Sequence, residues 1–564
     1  MHSQRPASAA HTQDVPPAEA PSRVATAAIG ATALLWIPQA ALLAHAVQRL
    51  ADGAGLAEML VPSLAYLLLG AARASTEAWG VRRLFTLSRS RLATLRAEAA
   101  RALAARSPLD RERLPSGQAA STVCEQAEAV LPWLLRYQPA RWKTMLIPPV
   151  IALAVFCQSW LAALILVCAA PLIPLFMAII GWRAKAASEA QLQVLGGMSG
   201  FLLDRLRGLS TLRSLGAVDA TATRLRASAE SVRAGTMRVL RIAFLSSTAL
   251  ELFAALGVAL VAVYVGFHLL GQIDAGCWGR RLTLQQALFI LLLAPAFFEP
   301  LRELAGVWHD KAAGEAALAA LAAIGAAAVP LPGALGPELA AGAAGGLAVR
   351  IDGLYFQHAG EAAVFDGASL HVGAGEHVAI VGPSGSGKTT LLSILAGLVP
   401  ATGGAVHIGG QRLDPDSACA LRARMAWIGQ APHVFAGSVR ANVSLHRPGV
   451  SAAAVRAAIG RAGLGSVPHA APADSLGEGG TGLSGGELAR LALARAAVVP
   501  QAGLLLADEP TAHLDRDTAA GVIDELLALA RGRTLVMATH DLALAARIGR
   551  VIDIGALRQA REAA

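Results

Sequence analysis

Six apolar stretches constrain this chain more than any other feature of its sequence, because each is close to the length of a membrane-spanning helix. About 20 helical residues are needed to cross the hydrocarbon core of a bilayer. Only 15% of the residues are charged, against about 25% in a typical soluble domain, and this shortfall also favours a membrane protein. The six predicted spans lie near residues 25–48, 56–76, 143–158, 160–181, 242–270 and 284–301.

The distribution of basic residues predicts how these spans are oriented. Nine arginines lie in residues 82–113, and nine arginines and one lysine lie in residues 183–241. The loops at the opposite ends of the spans, 49–55, 157–161 and 271–283, hold one, no and two basic residues. Because basic loops tend to stay in the cytoplasm, we expect both termini to be cytoplasmic. The two basic segments are predicted to project into the cytoplasm as helices.

Changes in composition predict four regions along the chain. Residues 1–22 are rich in Pro, Ala and Ser and lack an apolar run, which is typical of a disordered cytoplasmic tail and not of a cleaved signal peptide. Residues 23–315 contain the six spans and their cytoplasmic helical extensions, and residues 316–347 form an Ala-, Gly- and Pro-rich linker. In residues 348–564, short β-rich runs alternate with helical ones, which predicts an α/β domain with a largely parallel sheet.

A glycine-rich loop predicts a phosphate-binding site. It follows the apolar run His377–Val381 and precedes the helical run Leu391–Leu398, the strand–loop–helix context that such a loop requires. The backbone N–H groups of the loop and the helix N-terminus favour phosphate oxygens. Lys388 is predicted to bind the β- and γ-phosphates, and the Thr389 hydroxyl is predicted to bind Mg²⁺. The predicted phosphate-binding residues are Gly382, Pro383, Ser384, Gly385, Ser386, Gly387, Lys388, Thr389 and Thr390.

Two later strands end in residues suited to hydrolysis. The apolar run Leu504–Ala507 ends in Asp508 and Glu509. Asp508 suits the magnesium shell, and Glu509 suits a general base that polarises the attacking water. A second apolar run, Thr534–Thr539, ends at His540. Because ligands bind at the carboxyl ends of parallel strands, His540 is predicted to reach the γ-phosphate.

The motif Leu483–Glu487 resembles the signature sequence of ATP-binding cassette proteins. Gln430 matches the glutamine loop of that family, residues 512–515 match its D-loop, and His540 matches its switch histidine. The resemblance covers residues 348–560. Together with the six spans, it implies an exporter half-transporter: an all-α membrane domain of six helices fused to an α/β cassette ATPase, with a P-loop, a RecA-like core and a helical subdomain.

The same resemblance implies how the site works. In this family two cassettes close head to tail on two ATP molecules, so one chain must pair with itself or with a related half. The aromatic position that stacks on adenine aligns with His358, flanked by Tyr355 and Phe356, which leaves the stacking ring open. The implied signature contacts to nucleotide are Ser484, Gly485, Gly486 and Glu487; the implied catalytic residues are Glu509, His540, Gln430 and Lys388; and the implied Mg²⁺ ligands are Thr389, Gln430 and Asp508.

Three membrane-domain segments point to a cargo by resemblance alone. Residues 173–177, 203–213 and 293–304 resemble the D-type subunit of a bacterial heterodimeric thiol-reductant exporter required for cytochrome bd assembly. This implies ATP-driven export of cysteine or glutathione from the cytoplasm to the periplasm or exterior, across the bacterial inner membrane and with a homologous partner subunit. Haem is also a proposed ligand or cargo of that family. His309 is the candidate axial ligand, and a helix-surface histidine is the alternative.

Several polar residues of the membrane domain can be interpreted either as functional or as structural. By resemblance, residues 107–114 and 207–214 correspond to two coupling helices. Charges at membrane depth are often functional, but spacings of three and four residues favour helical ion pairs near the inner ends of the spans. The charged residues concerned are Arg73 with Glu77, and Arg302 with Glu299 and Glu303. The polar residues that could either line a path or pack are Trp36, Gln39 and His45.

Other classes of protein remain as alternatives. A homodimeric lipid or drug exporter would need no partner subunit. A soluble cassette ATPase could bind nucleic acid through the net charge of +9, but the six spans argue against it. An importer is disfavoured because importers of this superfamily usually keep the membrane part and the cassette on separate chains. The five cysteines show no metal-binding spacing and are expected to be free thiols.

Overall fold

The computed structural model describes residues 20–558 except 111, 174, 177–200, 203, 207, 279–280, 326–328, 335–344, 359, 466, 469, 478–481 and 513. The chain forms two compact units: residues 1–100 with 114–325, and residues 101–113 with 326–564. Residues 1–19 of the predicted tail lie outside the described residues, whereas residues 20–22 belong to the first helix. The assignment of residues 101–113 to the second unit was not predicted.

The first unit is helical throughout its described residues, apart from its connections. Between residues 124 and 138 the chain forms the short helical turns Gln126–Ala129 and Val130–Pro132 and the π-helical turn Trp133–Tyr137. A 3₁₀ turn, Leu56–Met59, precedes the helix that begins at Leu60. The helices are α1 (Ala20–Leu34), α2 (Trp36–Ala51), α3 (Leu60–Ala104), α4 (Ser116–Cys124), α5 (Gln138–Phe156), α6 (Trp160–Ala169), α7 (Leu209–Ser214), α8 (Val218–Leu269), α9 (Leu284–Gly306) and α10 (Trp308–Gly325).

All six predicted spans fall on helices where the structure describes them. They coincide with α1–α2, the first half of α3, α5, α6, the second half of α8, and α9. Within the described ranges, four segments are long and apolar enough to cross a membrane: Val24–Ala51, Ala57–Ala104, Thr248–Leu269 and Leu284–Gly325. Helix α5 carries two internal prolines, and α6 is a shorter apolar helix whose predicted span runs on into residues outside the described set. The long helices α3 and α8 extend the spans into the two arginine-rich segments, as predicted.

Residues of α5, α6, α8 and α9 form the core of the first unit. Phe298 is 1% exposed, and its ring packs against the backbone of α8 at Gly257. A side chain at that glycine would collide with the ring, so the sequence requires Gly257 for the two helices to approach this closely. The Thr144 hydroxyl donates a hydrogen bond to the Pro300 carbonyl (2.8 Å) and joins α5 to α9.

The charged residues at the ends of the spans pair between helices, and the predicted pairing within one helix was wrong for them. Lys143 Nζ lies 3.0 Å from Glu303 Oε2, and Arg302 lies 2.6 Å from Glu251 Oε1. The Arg73 guanidinium lies 5.8 Å from the centroid of the Trp36 ring instead of pairing with Glu77. The sequence spacing alone did not reveal these partners because they come from helices distant along the chain.

The second unit combines three sheets with eight short helices in its described residues. Its strands are β1 (Val349–Gln357), β2 (Ala363–Val372), β3 (His377–Val381), β4 (Gly403–Ile408), β5 (Gln411–Arg412), β6 (Met425–Ile428), β7 (Gly437–Ser438), β8 (Ser475–Leu476), β9 (Leu504–Asp508), β10 (Thr534–Thr539) and β11 (Arg550–Asp553). Its helices are α11 (Lys388–Leu395), α12 (Ala418–Arg422), α13 (Val439–Ser444), α14 (Ala452–Arg461), α15 (Gly485–Ala497), α16 (Arg516–Ala530), α17 (Leu542–Ile548) and α18 (Ile554–Arg558).

A five-stranded parallel sheet in the order β11-β3-β10-β9-β6 positions the candidate site. All residues of β9 and β10 are buried, which is typical of central parallel strands covered on both faces. The parallel sheet confirms the prediction. A separate antiparallel sheet, β2-β1-β4-β5, was not predicted. Its apolar positions pack into one of the two hydrophobic clusters of the unit, together with β3 and α11.

Residues 107–114 do not form the predicted coupling helix; the described part of this segment is a turn. The turn is held within the second unit by the Ser107 hydroxyl, which donates to the Leu398 carbonyl (2.6 Å), and by a buried ion pair of Arg106 with Asp110 (2.5 Å). Burial opposes ionisation of Asp110, but hydrogen bonds from Arg106 and from the Val329 backbone outweigh it and lower the pKa of Asp110. In the other predicted coupling segment, α7 does form a short helix.

Candidate nucleotide-binding site

The glycine-rich loop connects β3 to α11 at the carboxyl edge of the parallel sheet. Gly385 and Gly387 adopt φ values of 77° and 101°, in the region that glycine occupies without steric cost. A Cβ on Gly387 would lie 2.7 Å from Cγ1 of Val364 in β2. The loop therefore needs glycine both for its backbone conformation and for its close contact with the antiparallel sheet. Val364 is a neighbour of the loop that the sequence did not predict, because an apolar strand residue belongs to no motif.

Lys388 begins α11, and its side chain curls back over the loop. Its ammonium donates hydrogen bonds to the carbonyls of Gly382 (2.9 Å) and Pro383 (3.0 Å), and it lies 3.4 Å from Glu509 Oε1. The side chain is only 5% exposed. A buried ammonium is stable only with such partners, and its three donors are the groups that phosphate oxygens accept from.

Asp508 is the last residue of β9, and its carboxyl lies against the start of α11. The side chain is hydrogen-bonded to Thr389. Burial, together with the neighbouring charge of Glu509, raises the pKa of Asp508 in spite of Thr389 and Lys388. Its Oδ1 is buried and has no hydrogen-bond partner among the described residues. A carboxylate oxygen without a partner beside a threonine hydroxyl is a donor set that fits Mg²⁺.

Glu509 has an unusual backbone conformation, with φ at 44°. This is a sparsely populated region for a residue other than glycine and costs about 1–3 kcal/mol. The conformation is held by the Glu509 N–H, which donates to the Ala538 carbonyl of β10 (2.9 Å). It directs the carboxylate between Lys388 and His540, whose Nδ1 lies 3.2 Å from Glu509 Oε2. The structure thus brings together three of the four residues predicted to act in hydrolysis.

Gln430, the fourth of these residues, follows β6 at the same edge of the sheet. In the register of the sheet, Ile428 of β6 pairs with Ala507 of β9, one residue before Asp508. Gln430 is exposed, and its amide makes no hydrogen bond to a described residue. It therefore stands at the rim of the site and not among the buried residues.

The signature segment forms the start of α15 in the cassette. Ser484 is the N-cap residue: its hydroxyl accepts from the Glu487 N–H (3.4 Å), and the Glu487 carboxylate accepts from the Ser484 N–H (2.7 Å). This reciprocal pair is a capping box, which glutamate and glutamine can both form. Gly486 contacts the Thr518 methyl group so closely that a Cβ would collide with it.

Two of the three rings near the adenine position have other contacts. Phe356 is 4% exposed and belongs to the hydrophobic core. Tyr355 packs over Gly403 of β4, and its hydroxyl donates to Gln357 (3.0 Å). His358 is half-buried, edge-on to Phe356 with 4.9 Å between ring centroids. Burial therefore disfavours Phe356 as the stacking ring, whereas Tyr355 and His358 are both half-buried.

The polar residues singled out in the membrane domain make their contacts within the first unit. Trp36 Nε1 donates to the Leu292 carbonyl (3.2 Å), and His45 Nδ1 lies 3.4 Å from Gln285. Gln39 is 3% exposed, and its Oε1 has no partner among the described residues. His309 is exposed, and its Nε2 lies 3.1 Å from Asp310. No group of three metal-binding side chains occurs in the described part of the chain.

The helical membrane unit and the phosphate loop, carboxylates and signature of the second unit define an ABC exporter half-transporter. Residues 24–301 match the family described as "ABC transporter transmembrane region", and residues 365–512 match the family described as "ABC transporter". The chain belongs to the ABC transporters, and it is an ATP-hydrolysing transporter whose cassette uses ATP with Mg²⁺.

Its relatives include two curated glutathione/L-cysteine transport proteins. The chain is 37% identical over 431 residues to the ATP-binding/permease protein CydD of Escherichia coli (strain K12), covering 76% of this chain and 73% of CydD. It is 31% identical over 433 residues to CydC of Bacillus subtilis (strain 168), covering 76% and 73%. A solved bacterial Atm1-family ABC exporter with ATP bound shares the fold, with a TM-score of 0.75, 22% identity and coverage of 94% and 92%.

Proposed function

We propose that this chain exports a small thiol, cysteine or glutathione, from the cytoplasm to the periplasm or cell exterior as one subunit of a heterodimeric ABC exporter. The identity with CydD along nearly three quarters of that protein's length carries the proposal. Because the 431 aligned residues are about twice the length of the cassette, the match includes part of the membrane domain and supports the cargo as well as ATP hydrolysis. The physiological role that follows is support of cytochrome bd assembly.

ATP binding and hydrolysis follow from the cassette geometry. The loop of residues 382–390 holds the phosphates, with Lys388 exchanging its two loop carbonyls for phosphate oxygens. Thr389, Asp508 and Gln430 would hold Mg²⁺, and the ion would supply positive charge to the phosphates. Glu509 polarises the attacking water, and His540 contacts the γ-phosphate and orients the Glu509 carboxylate.

A second cassette completes this site. Ser484, Gly485, Gly486 and Glu487 stand at the N-terminus of α15, whose backbone N–H groups and dipole favour phosphate. They contact the nucleotide held by the partner subunit. Residues 207–214 transmit closure to the membrane helices as a rigid-body switch. Residues 107–114 act in the same way, although they do so as a turn.

The proposed setting is the bacterial inner membrane, with both termini in the cytoplasm. The arginine-rich ends of α3 and α8 support this orientation, because basic segments stay on the cytoplasmic side. A heterodimer is favoured because both CydD and CydC proteins are among the relatives.

Transport into inside-out vesicles tests the proposal. Vesicles carrying this chain and a CydC-type partner should take up labelled glutathione or cysteine in an ATP-dependent manner. Uptake should vanish with Lys388→Ala and in vesicles that lack the partner. Vesicles that hydrolyse ATP but accumulate neither thiol would contradict the proposed cargo, and partner-independent uptake would contradict the heterodimer.

Two alternatives predict other outcomes in the same vesicles. A homodimeric lipid or drug exporter would act without the partner and would favour apolar cargo. Haem-linked transport would use His309 as an axial ligand, but that ring is exposed and its Nε2 is engaged by Asp310. An exposed ring whose Nε2 is already paired does not fit a haem site.

A further inference from the structure

Cys277 and His268 form a thiol–imidazole pair in the membrane domain. The pair lies at the C-terminal end of α8, whereas the N-terminal half of α8 belongs to the arginine-rich segment of residues 183–241. Cys277 Sγ lies 3.3 Å from His268 Nε2. His268 is in the last turn of α8, and Cys277 follows in the connection to α9. The thiol is partly exposed, whereas the imidazole is 1% exposed. A cysteine with a base within hydrogen-bond reach is the arrangement that activates a thiol nucleophile.

The thiol is held in place by its neighbours. Ser159 caps the start of α6, and its hydroxyl donates to the Gly276 carbonyl (2.7 Å), while residues 159 and 277 form an antiparallel bridge. The Tyr264 hydroxyl lies 3.0 Å from Ser159 Oγ and 3.8 Å from Cys277 Sγ. These contacts tie the connecting loop to α6 and α8, so the sulfur stays beside the imidazole.

The buried imidazole has no other polar function among the described residues. Its Nδ1 is buried and has no hydrogen-bond partner there. A buried polar ring normally has both nitrogens satisfied, and an exception needs an explanation. Among the described residues the Cys277 thiol is the hydrogen-bond partner of this ring, and a ring that carries its proton on Nδ1 presents Nε2 as the acceptor to that thiol.

We propose that Cys277, with His268 as its base, reacts with small disulfides, the oxidised dimers of thiols such as cysteine and glutathione. The choice of these disulfides rests on the proposed function; the reactivity of the thiol does not. The proton of Cys277 passes to His268 Nε2 as the sulfur attacks one sulfur of the disulfide. The disulfide's S–S bond breaks, a new bond joins Cys277 to one half, and the other half leaves as a thiolate that takes the proton from His268.

The position of the pair suits this chemistry. In the proposed topology, the loop of residues 271–283 faces the periplasm or exterior, where disulfides persist. The disulfide is the oxidant in the exchange, and a small thiol reverses it. Cys277 would therefore carry a mixed disulfide when the exported thiol has become oxidised and would be free when that thiol is reduced.

The test measures exchange at each cysteine of the full-length chain, purified together with its partner. The reduced protein is incubated with glutathione disulfide, and the glutathionylated fraction of each cysteine is followed by peptide mass spectrometry. Cys157 is the internal reference, because it is exposed at the end of α5 and its sulfur has no hydrogen bond to a described residue. Cys277 should react at least about tenfold faster than Cys157, a modest effect for a general base.

Two variants distinguish the effect of the imidazole on the reaction rate from the effect of local packing. His268→Gln should lower the rate at Cys277 to that of Cys157 and leave the rate at Cys157 unchanged, which also shows that the fold is intact. Tyr264→Phe removes a neighbouring hydroxyl but keeps the imidazole, so the fast reaction should persist. Wild-type Cys277 reacting no faster than Cys157, or equal slowing by both variants, would overturn the proposal.

A transport measurement keeps this inference distinct from the proposed function. The exchange assay requires neither ATP nor transport. A failure of thiol uptake in vesicles would therefore contradict the proposed function without affecting the result of the exchange assay. Conversely, glutathione disulfide enclosed in the lumen of inside-out vesicles, the side that residues 271–283 face in the proposed topology, should slow thiol uptake by the wild-type chain and should not slow uptake by Cys277→Ser. Inhibition by the disulfide that persists in Cys277→Ser would show that another residue is the target.

Discussion

Glu509 Oε2 lies 3.2 Å from His540 Nδ1, although the two residues are 31 positions apart in the chain. They meet because β9 and β10 are neighbouring parallel strands that end at the same edge of the sheet. The strained backbone of Glu509 is held by a hydrogen bond to the Ala538 carbonyl of β10. The pairing of β9 with β10 therefore sets both the backbone conformation of Glu509 and the position of His540. The distance between these two side chains therefore depends on the register of β9 and β10.

Glu509→Gln is expected to stop turnover while leaving ATP bound. The amide keeps the size of the side chain but cannot accept a proton from the attacking water, so steady-state hydrolysis should fall by at least about a hundredfold. The rate of phosphate release and the amount of nucleotide retained after gel filtration measure the two effects. Glu376→Gln is a matched control, since Glu376 pairs with Arg550 away from the site. Hydrolysis at the wild-type rate in Glu509→Gln would contradict its role as a base.

His540→Ala should slow hydrolysis by about tenfold to a hundredfold with little change in ATP affinity. The substitution removes the ring that contacts the Glu509 carboxylate but none of the loop that holds the phosphates. Steady-state ATPase assays together with fluorescent-nucleotide titration separate the two quantities. His371→Ala changes an exposed histidine of β2 and should alter neither. If affinity fell as much as turnover did in His540→Ala, the histidine would be a binding residue instead.

Lys388→Ala should weaken ATP binding by about tenfold to a hundredfold, because charge-assisted hydrogen bonds contribute about 1.5–3 kcal/mol each. Equilibrium binding of a fluorescent ATP analogue is the measurement. Lys311→Ala removes another of the chain's four lysines, one that lies in α10 and is 3.9 Å from Glu315, and it should bind ATP normally. Unchanged affinity in Lys388→Ala would argue against the phosphate-loop assignment.

Glu487→Gln and Glu487→Ala should differ in stability. Glutamine can still accept a hydrogen bond from the Ser484 N–H and preserve the capping box, whereas alanine cannot. Loss of this half of the capping box should cost about 0.5–1 kcal/mol, seen as a lower unfolding temperature of the purified chain for alanine only. Equal unfolding temperatures for the two variants would mean that the cap adds nothing to stability.

Asp110→Asn should destabilise the second unit by about 3–5 kcal/mol, because it leaves Arg106 buried and unpaired. Thermal unfolding measures the effect, and Glu230→Gln in the exposed pair with Arg233 should leave the unfolding temperature unchanged. The pKa of Asp110 is lowered in the folded chain, so its contribution is complete above the unfolded value of about 3.9. That contribution is lost as the pH falls through the lower folded pKa. The wild-type advantage over Asp110→Asn should therefore shrink only in strong acid.

Local patterns in the sequence were enough to predict the motifs, the helical spans and the α/β character of the second unit. The glycine-rich loop, the strand ending in Asp508 and Glu509, and the signature segment each consist of consecutive residues with a definite chemical requirement. The apolar lengths likewise predicted helices at all six spans where the structure describes them. These features depend on helix length, glycine conformation and strand burial, which are properties of short segments.

The tertiary structure decided which distant residues meet. The sequence placed Arg302 and Glu303 in one helix, but only packing shows that Glu251 and Lys143 are their partners. It suggested a helix at residues 107–114, where contacts with the cassette hold a turn. It left Cys277 as a free thiol, and the structure brings His268 to it. The periodicity of a short segment determines whether it forms a helix or a strand. Contacts between residues distant along the chain depend on how the helices and strands pack, and no local sequence pattern encodes that packing.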